Sequence, residues 1–394
     1  MTAADRLPCD PVHLAFALLT LIPGEAGGSE SSVRALLREF GRGNGPERVT
    51  VLANPLVARA YANFEQGPIS LRELSWVRTG NGTIRRLAGI ASAWLFARVL
   101  GRLTPWIDVL HHPVTVPVPR LPRTPTVTTI HDLQHRDMPA LFSPAERAYR
   151  RWAYDGAARR ADLVVTPSEH ARGRIIELLG VEPTRVRVIP HGIDHNRFTP
   201  EPGPGDADLR ARLRLPERFV FYPANLWPHK NHERLVKALA AISDRDLHLV
   251  LTGADYGRFR ALEATARKAG VAERVHHLGY IAESDVPPLL RAAEALVFPS
   301  LYEGFGSPPL EAMACGCPVA SSTRASLAEV VNGAALTFDP ESVEAIAAAI
   351  ERITGDTALR RQLRAAGLER ARQYSWSVAA AAYRDAYAAA IDMA

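Results

Sequence analysis

Two glutamates frame a glycine-rich turn in the C-terminal half of the chain. Glu303 and Glu311 stand in the segment EGFGSPPLE with seven residues between them. The turn follows an apolar run at 295–299 that is typical of a buried parallel strand, and it precedes LEAMAC, which has the composition of a helix. The segment is therefore predicted to be a strand, a glycine turn and a helix, with one carboxylate on each side of the turn.

The start of that helix has the features of an anion site. Ser307 is predicted to cap the helix, with Pro308 at its first position, and helix starts attract anions. Because Pro308 and Pro309 lack an N–H group, the donors open to an anion are those just before the helix. These are the backbone N–H groups of Gly304, Phe305, Gly306 and Ser307. Two carboxylates around an anion site indicate a polyhydroxylated ligand that carries phosphate.

Other residues that could do chemistry follow predicted strands. Lys230 comes after the strand FVFYPAN, where its point charge could meet phosphate, although a solvated surface lysine is the plainer interpretation. A lone histidine is more often structural than catalytic, but His131 directly follows the apolar end of another strand, and at that position the two interpretations are about equally favoured. Gly27 and Gly28 lie between the first strand and helix, where they let a ligand approach the backbone. No GxGxxG fingerprint is present, which disfavours a nicotinamide enzyme.

Length and charge limit the class of protein. With 394 residues the chain is long enough for two domains, and 47% hydrophobic with 23% charged residues is the composition of a globular protein. The formal net charge of +5 suits an acidic ligand or an anionic lipid surface. The excess is too diffuse to indicate nucleic acid.

Cysteine usage and the N-terminal segment favour a cytoplasmic location. Cys9, Cys315 and Cys317 are too few for a disulfide framework, and the last two are predicted to be small buried side chains rather than metal ligands. The segment 1–11 has no cationic start leading into an apolar core, so no secretory signal is predicted. No apolar run is long enough to predict a spanning helix.

The stretch 83–103 has two interpretations. Apolar residues, among them Leu87, Trp94 and Leu100, fall in a helical stripe bordered by arginines. Such a helix could lie on an anionic membrane, as a peripheral contact, or pack on its sheet with solvated arginines. The second interpretation is favoured.

Strands and helices alternate through both halves of the chain, which predicts an α/β protein with two Rossmann-like, doubly wound domains facing a central cleft. The segment EPGPGD at 201–206 has linker composition. The predicted domains are residues 1–198 and 199–375, followed by a helix at 376–394 that crosses back to the first domain.

Several motifs resemble those of glycosyltransferase family 4, which has the GT-B fold. The most specific is Glu303 with Glu311 in EGFGSPPLEAMACGCPV, and the others are TPSEHAR, VIPHGID, the Lys-Asn of PHKNH, and HDLQH. They occur in the family's order, and the resemblance covers essentially the whole chain. It implies a retaining transferase that takes a hexosyl group from a nucleoside diphosphate sugar.

The resemblance also assigns roles to residues. It implies that Glu311 binds the ribose hydroxyls, that Glu303 and the backbone of 304–307 hold the donor sugar and diphosphate, and that Lys230 neutralises the leaving group. It places Gly27 and Gly28 at the diphosphate and His131 near the transferred sugar. Family members generally need no metal, so no metal site and no cofactor beyond the sugar nucleotide are expected.

Two positions depart from the family pattern, and the donor remains to be chosen. Asn225 stands where many relatives carry an arginine, which leaves diphosphate binding more dependent on Lys230, and Ser307 replaces a frequent leucine. HDLQH and PANLWPHKNH are similar to bacterial mannosyl- and rhamnosyltransferases of surface polysaccharide assembly. GDP-mannose is therefore the expected donor, and a glycan or lipid-linked hydroxyl the acceptor.

Two other functions fit the residues. A sugar-nucleotide epimerase shares the architecture but needs an acid and base set that we cannot identify in the sequence. A non-catalytic sugar-nucleotide-binding protein is suggested only by Asn225, while intact Glu303, Glu311 and Lys230 favour catalysis.

Overall fold

The computed structural model describes residues 11–25, 27–77, 79, 90–92, 95, 100–102, 104–203 and 206–393. The chain divides into two units, each considered by itself below. The first contains Met1–His191 together with Trp376–Ala394, and the second contains Gly192–Ser375. Leu87 and Trp94 of the proposed membrane stripe, and Cys9, lie outside the described residues.

Within its described residues, the first unit contains a sheet of seven parallel strands in the order β3-β2-β1-β4-β5-β6-β7. The strands are β1 (His13–Leu18), β2 (Arg48–Ala53), β3 (Ile69–Glu73), β4 (Val109–His112), β5 (Thr126–Thr129), β6 (Leu163–Thr166) and β7 (Val186–Val188). Its helices are α1 (Gly28–Gly41), α2 (Pro55–Ala60), α3 (Gln134–Asp137), α4 (Pro144–Arg150), α5 (Gly156–Arg160), α6 (Glu169–Leu179) and the C-terminal α15 (Trp376–Asp392). The order reverses between β1 and β4, which is where such sheets open a ligand crevice.

The second unit repeats this architecture with six described parallel strands in the order β10-β9-β8-β11-β12-β13. The strands are β8 (Phe219–Pro223), β9 (His248–Thr252), β10 (Val275–His277), β11 (Ala295–Phe298), β12 (Val319–Ser322) and β13 (Leu336–Phe338). The helices are α7 (Asp206–Leu213), α8 (His232–Ala241), α9 (Phe259–Lys268), α10 (Val286–Ala292), α11 (Ser307–Ala314), α12 (Leu327–Val331), α13 (Val343–Gly355) and α14 (Thr357–Arg372). Here the order reverses between β8 and β11.

The strands form where the sequence is continuously apolar. Residues 295–298 and 219–222 are fully buried, as expected for central strands that are covered by helices on both faces. The helix α6 confirms local signals equally well, because the Ser168 side chain accepts a hydrogen bond from the N–H of Ala171 at its start. At its end Gly180 adopts the left-handed conformation, with φ 64°.

The C-terminal helix α15 is part of the first unit's core. Its Tyr383 and Tyr387 are buried between α1 and the sheet. Tyr387 Oη lies 2.9 Å from Nδ1 of His111 at the centre of β4, and Nε2 of the same ring lies 2.8 Å from Thr129 Oγ1. The Thr129 hydroxyl is in turn 3.3 Å from Tyr383 Oη. Hydrogen bonds therefore fix the register of this helix, because each buried polar group needs its partner.

The units divide between His191 and Gly192, seven residues before the boundary predicted from the linker at 201–206. The reason is that Ile193 and Phe198 are buried in the core of the second unit. Ile193 also pairs with Ser375 in a parallel bridge. Among the described residues, no helix combines the length and the apolar character needed to cross a membrane.

Replacing Tyr387 by Phe tests the buried hydrogen bonds of α15. The ring still fills its space, but Nδ1 of His111 is left buried without a partner, so we expect the free energy of unfolding to fall by about 1–3 kcal/mol. Urea denaturation of the first unit measures the change. Tyr280→Phe, at a residue that is 80% exposed, is the matched control and should leave the midpoint unchanged. Equal midpoints for wild type and Tyr387→Phe would contradict the proposed role of the hydroxyl.

Candidate functional site

Lys230 and Glu303 form an ion pair at the reversal point of the second sheet. Lys230 Nζ lies 2.6 Å from Glu303 Oε1, and the two side chains are only 18% and 13% exposed. Lys230 follows β8 and Glu303 follows β11, and these two strands are direct neighbours. The carboxyl ends of neighbouring parallel strands meet at one edge, so the sheet order brings together residues that are 73 positions apart.

Hydrogen bonds from the loop around Lys230 fix this approach. Asn231 adopts the left-handed conformation, with φ 63°, and its side-chain amide donates to the carbonyl oxygens of Pro299 and Pro340 at 3.0 and 2.7 Å. Tyr222 donates to the carbonyl of Lys230 at 2.9 Å, and its hydroxyl also lies 3.0 Å from Ser300 Oγ. The carbonyl of Lys230 and the residue after it are thus both fixed by hydrogen bonds, which limits the positions that the lysine ammonium group can reach.

Gly306, not Ser307, caps the helix that follows the glycine turn. The prediction that Ser307 is the N-cap is wrong: α11 begins at Ser307, and Gly306 precedes it with φ 98° and ψ 59°. That left-handed conformation favours glycine, and a Cβ on Gly306 would lie 2.6 Å from Leu327 Cδ2. Pro308 then occupies the second helical position, where its missing N–H is still harmless.

Ser326 holds the shape of the glycine turn. Its hydroxyl lies 2.9 Å from the carbonyl oxygen of Glu303 and 2.8 Å from that of Phe305. Phe305 is buried and meets Tyr374 edge to face, with ring centroids 5.9 Å apart. The Ser326 hydroxyl therefore binds the carbonyls of Glu303 and Phe305, while the Glu303 side chain points to Lys230.

Asn225 is committed to the scaffold through one of its two polar atoms. Its Oδ1 accepts the N–H of Ala254 at 2.8 Å, which joins the loop after β8 to the loop after β9. The amide NH₂ is a neutral donor, whereas the arginine common in the family would bring a charge. Among the positions predicted for the diphosphate, Lys230 thus supplies the cation.

Glu311 lies on α11, half-buried, next to a second charged pair. Burial raises the pKa of its carboxyl group to about 7, an effect opposed by Arg197 and reinforced by Glu283. Arg197 Nη1 lies 3.1 Å from Glu283 Oε2, and its Nη2 donates to the Glu283 carbonyl. A carboxyl group with this pKa changes charge close to neutral pH, so small changes in its surroundings decide whether it is a hydrogen-bond acceptor or also a donor.

In the first unit, Gly27 and Gly28 occupy the start of α1. Gly27 is the N-cap residue, with φ 53°, and neither glycine has a neighbouring atom within 4 Å of where a Cβ would stand. Hydrogen bonds hold the turn before these glycines. The Glu30 carboxylate accepts the N–H of Gly24 at 2.7 Å. The buried side chain of Asn54 donates to the carbonyls of Leu19 and Leu21. This leaves room for a ligand at a fixed helix N-terminus.

His131 lies just beyond β5, as predicted, with Nε2 2.9 Å from the carbonyl oxygen of Pro113. Because a carbonyl only accepts, Nε2 carries the proton and Nδ1 is the acceptor of the neutral ring. Burial lowers the pKa of His131, so the ring is neutral at physiological pH. The ring of its neighbour His191 lies with its centroid 5.6 Å from that of His131, and burial lowers the pKa of His191 to about 3.

Sequence reasoning missed the residues that position the predicted ones. Asn231 was quoted in the Lys-Asn motif without a role, although asparagine tolerates the left-handed conformation at a turn. Ser326, Tyr222 and Arg197 gave no such signal, because their partners lie far away in the chain. Among the described residues, no cluster of three or more histidine, cysteine or acidic side chains could hold a metal ion.

Comparison with known sequences gives two family matches that follow one another along the chain. The profile of Glycosyltransferase Family 4 matches residues 26–197, and that of Glycosyl transferases group 1 matches residues 207–370. O-antigen chain mannosyltransferase B of Escherichia coli is 32% identical over 274 residues, 68% of this chain and 71% of that protein. D-inositol 3-phosphate glycosyltransferase of Salinispora arenicola is 30% identical over 288 residues, 69% of this chain and 64% of that protein.

Solved structures share the fold at lower sequence identity. Anabaena HepE, solved in complex with UDP and glucose, has a TM-score of 0.75 at 21% identity and covers 96% of this chain and 100% of its own. WaaG, a glycosyltransferase involved in lipopolysaccharide biosynthesis, has a TM-score of 0.70 at 18% identity over 94% and 98%. The sequence matches and these structures confirm the resemblance and the GT-B fold that the motifs predicted.

Replacing Glu311 by Gln tests the raised pKa. In the unfolded chain the group titrates near 4.5, so the folded state loses stability as the pH rises through about 7 and the carboxyl group becomes charged. We expect Glu311→Gln to unfold with a free energy about 1–3 kcal/mol higher than wild type at pH 8, and nearly equal at pH 4. Thermal or urea unfolding at the two pH values measures this.

Glu369→Gln is the control for the Glu311 prediction, because Glu369 is an exposed side chain on α14 that does not contribute to the pKa of Glu311. It should show no gain in stability at pH 8. A Glu311→Gln protein that gains nothing between pH 4 and pH 8 would show that the carboxyl group is not held in its neutral form.

Proposed function

Since this chain belongs to glycosyltransferase family 4, we propose that it moves a hexosyl group, mannosyl as first choice, from a nucleoside diphosphate sugar to a hydroxyl acceptor in glycan assembly. The supporting observation is the Lys230–Glu303 ion pair beside the glycine turn, with Glu311 on the following helix. The lysine and the backbone N–H groups suit the diphosphate of a sugar nucleotide. The two carboxylates suit the hydroxyl groups of its sugar and its ribose.

Each residue has a role in this proposal. Lys230 stabilises the negative charge that develops on the departing diphosphate, and its approach is fixed by Tyr222 and Asn231. Glu303 binds hydroxyl groups of the donor sugar. Glu311 accepts the ribose hydroxyls, which favours its charged form.

The predicted backbone donors remain part of the proposal. The N–H groups of residues 304–307 meet the diphosphate, while the Ser326 hydroxyl binds the carbonyls of Glu303 and Phe305. Ser307 retains its backbone donor although it is the first helical residue rather than the cap. Asn225 contributes a neutral amide.

Residues of the first unit complete the roles implied by the resemblance. Gly27 and Gly28 approach the diphosphate through a glycine backbone with space around it. His131, neutral and with Nδ1 as acceptor, binds a hydroxyl of the transferred sugar.

The proposed reaction retains the anomeric configuration. The acceptor oxygen forms a bond to the anomeric carbon while the bond from that carbon to the diphosphate oxygen breaks. The acceptor proton passes to the departing phosphate, so no carboxylate nucleophile is needed. The protein contributes charge stabilisation and alignment of the two reactants.

The choice of mannose rests on the relatives and on motifs in this chain. The O-antigen relative is named as a mannosyltransferase, and HDLQH and PANLWPHKNH point to the same group of enzymes. Anabaena HepE was solved with UDP and with UDP-glucose, so a uridine donor is the competing possibility for the base. The epimerase and the non-catalytic binding protein find no support among these relatives.

The location of the protein also belongs to the proposal. A cytoplasmic enzyme has access to sugar nucleotides and to lipid-linked acceptors at the inner face of a membrane. Peripheral contact with anionic lipid through 83–103 stays a prediction, since most of that stretch lies outside the described residues.

A panel of sugar nucleotides tests the donor and the site together. We expect GDP-mannose to raise the melting temperature and to support transfer, because a ligand that binds only the folded state stabilises it. Lys230→Ala should reduce kcat by at least about 100-fold, the usual cost of losing one charge-stabilising group. NMR of the early product should show the anomeric configuration of the donor.

Lys268→Ala removes an exposed lysine on α9 and is the control for that panel; it should keep wild-type kcat. Faster transfer from UDP-glucose than from GDP-mannose would overturn the choice of donor. Near wild-type kcat in Lys230→Ala would overturn the site, and conversion of the sugar nucleotide to its epimer without acceptor would overturn the transferase reaction.

Chelation tests the expectation that Lys230 takes the place of a metal. If lysine and backbone donors neutralise the diphosphate, EDTA at millimolar concentration should change the transfer rate by less than about twofold. Initial rates with EDTA, with Mg²⁺ and with Mn²⁺ in excess measure this. Loss of transfer in EDTA with recovery on Mg²⁺ would show that a metal is required.

A further inference from the structure

The second unit has a groove between α8 and α9 that uses none of the proposed donor-site side chains. It is an open groove of about 380 Å³, and the loop that carries Lys230 forms one of its walls. Lys230, Glu303, Glu311 and Asn225 do not line it. The lining residues are Leu226, Trp227, Pro228, Asn231, His232, Glu233, Arg234, Lys237, Arg258, Ala261, Leu262 and Thr265.

His232 gives the groove a buried hydrogen-bond acceptor. The side chain is 6% exposed, and within the described part of the chain its Nε2 has no hydrogen-bond partner. The other ring nitrogen donates a hydrogen bond to the carbonyl of Ala224, and burial lowers the pKa of the ring to about 3. Nε2 is therefore a neutral acceptor, and a buried acceptor without a donor is uncommon in proteins.

An exposed pair of aromatic rings stands at the same groove. Trp227 lines it and is 41% exposed, and Tyr256 is 55% exposed. The ring centroids lie 4.5 Å apart with the planes inclined by 34°. Tyr256 has φ 48°, a conformation that a bulky residue rarely adopts and that costs on the order of 1–3 kcal/mol. Such strain is concentrated at binding sites, where it holds a side chain in place for a ligand.

The groove carries an excess of positive charge. Arg234, Lys237 and Arg258 line it against one acidic residue, Glu233. Lys237 is paired with Glu233 at 2.6 Å, and Arg234 donates to Asn231 Oδ1 at 3.0 Å. Among the described residues, the Arg258 side chain has neither a hydrogen bond nor an ion pair, so it is available to an anion.

We propose that this groove is a second carbohydrate site, which binds an acidic saccharide unit of a glycan. The exposed Trp227 ring, which packs against Tyr256, receives the apolar face of a sugar ring, and Arg258 and Lys237 bind a carboxylate or phosphate substituent. The choice of a saccharide rests on the family of this chain. Saccharide binding in the groove can be measured without the sugar nucleotide and without transfer.

Binding of defined saccharides tests the proposal. The probes are tetragalacturonic acid, which carries carboxylates, mannose 6-phosphate, which carries phosphate, neutral maltotetraose, and inorganic phosphate. Saturation-transfer NMR and calorimetry measure their affinity for the full chain. We expect at least one acidic saccharide to bind about tenfold or more tighter than both maltotetraose and inorganic phosphate, and the preferred one identifies the substituent.

Surface variants assign that binding to the groove. Trp227→Ala and the double variant Lys237→Ala/Arg258→Ala should each weaken it by about tenfold or more. Trp152→Ala, at a tryptophan of the first unit that is 44% exposed, and Lys268→Ala on α9 are the matched controls and should bind as wild type does. Lys230→Ala should also bind the saccharide normally, so failure of the donor site and failure of this site are separable.

Two results would overturn the second site. One is that no acidic saccharide binds tighter than inorganic phosphate, which would leave only a non-specific basic surface. The other is that Trp227→Ala or the double variant binds as tightly as wild type, which would place the saccharide elsewhere.

Discussion

A lysine ammonium and a glutamate carboxylate, 2.6 Å apart, join the two loops at the reversal point of the second sheet. The pair exists because β8 and β11 are neighbours although 71 residues separate the ends of these strands: Pro223 closes β8 and Ala295 opens β11. Without the amide of Asn231 and the hydroxyl of Tyr222, the lysine loop would have the freedom of an ordinary surface turn. The lysine is therefore already ordered before a ligand binds. Such preorganised charges stabilise a reaction because they need no rearrangement when charge develops.

Burial holds ionisable groups of both units towards their neutral forms. In the first, His111, His112, His131 and His191 are held neutral by burial, with pKa values below the ordinary 6.5. Stability from these neutral rings is present above pH 6.5 and is lost as the pH falls towards their folded values. In the second, Glu311 is held towards its neutral form, and that contribution is lost as the pH rises through about 7. Near neutral pH, the buried histidines of the first unit therefore contribute their full stability, while Glu311 of the second unit is about half charged.

The family matches and the geometry around Lys230 give different kinds of information. The matched profiles and relatives establish a glycosyltransferase with the GT-B fold. In the proposed donor site Lys230 neutralises charge, while the Asn225 side chain accepts a hydrogen bond from Ala254 that joins two loops. The α8–α9 groove, which we propose as a second carbohydrate site, carries the exposed Trp227 ring and is lined by none of the side chains Lys230, Glu303, Glu311 and Asn225.

The sequence by itself determined the elements and the residue types of the site. Apolar runs predicted the strands, Ser168 and Gly180 predicted the ends of α6, and the spacing of Glu303 and Glu311 led to the family, because these signals depend on a few consecutive residues. Tertiary structure decided the rest. It made Gly306 rather than Ser307 the cap, with Gly306 in the left-handed conformation that favours glycine. It also raised the pKa of Glu311 and brought Lys230 to Glu303. These outcomes depend on which strands become neighbours and which side chains lose water, and both are set by packing between residues that are distant in the chain.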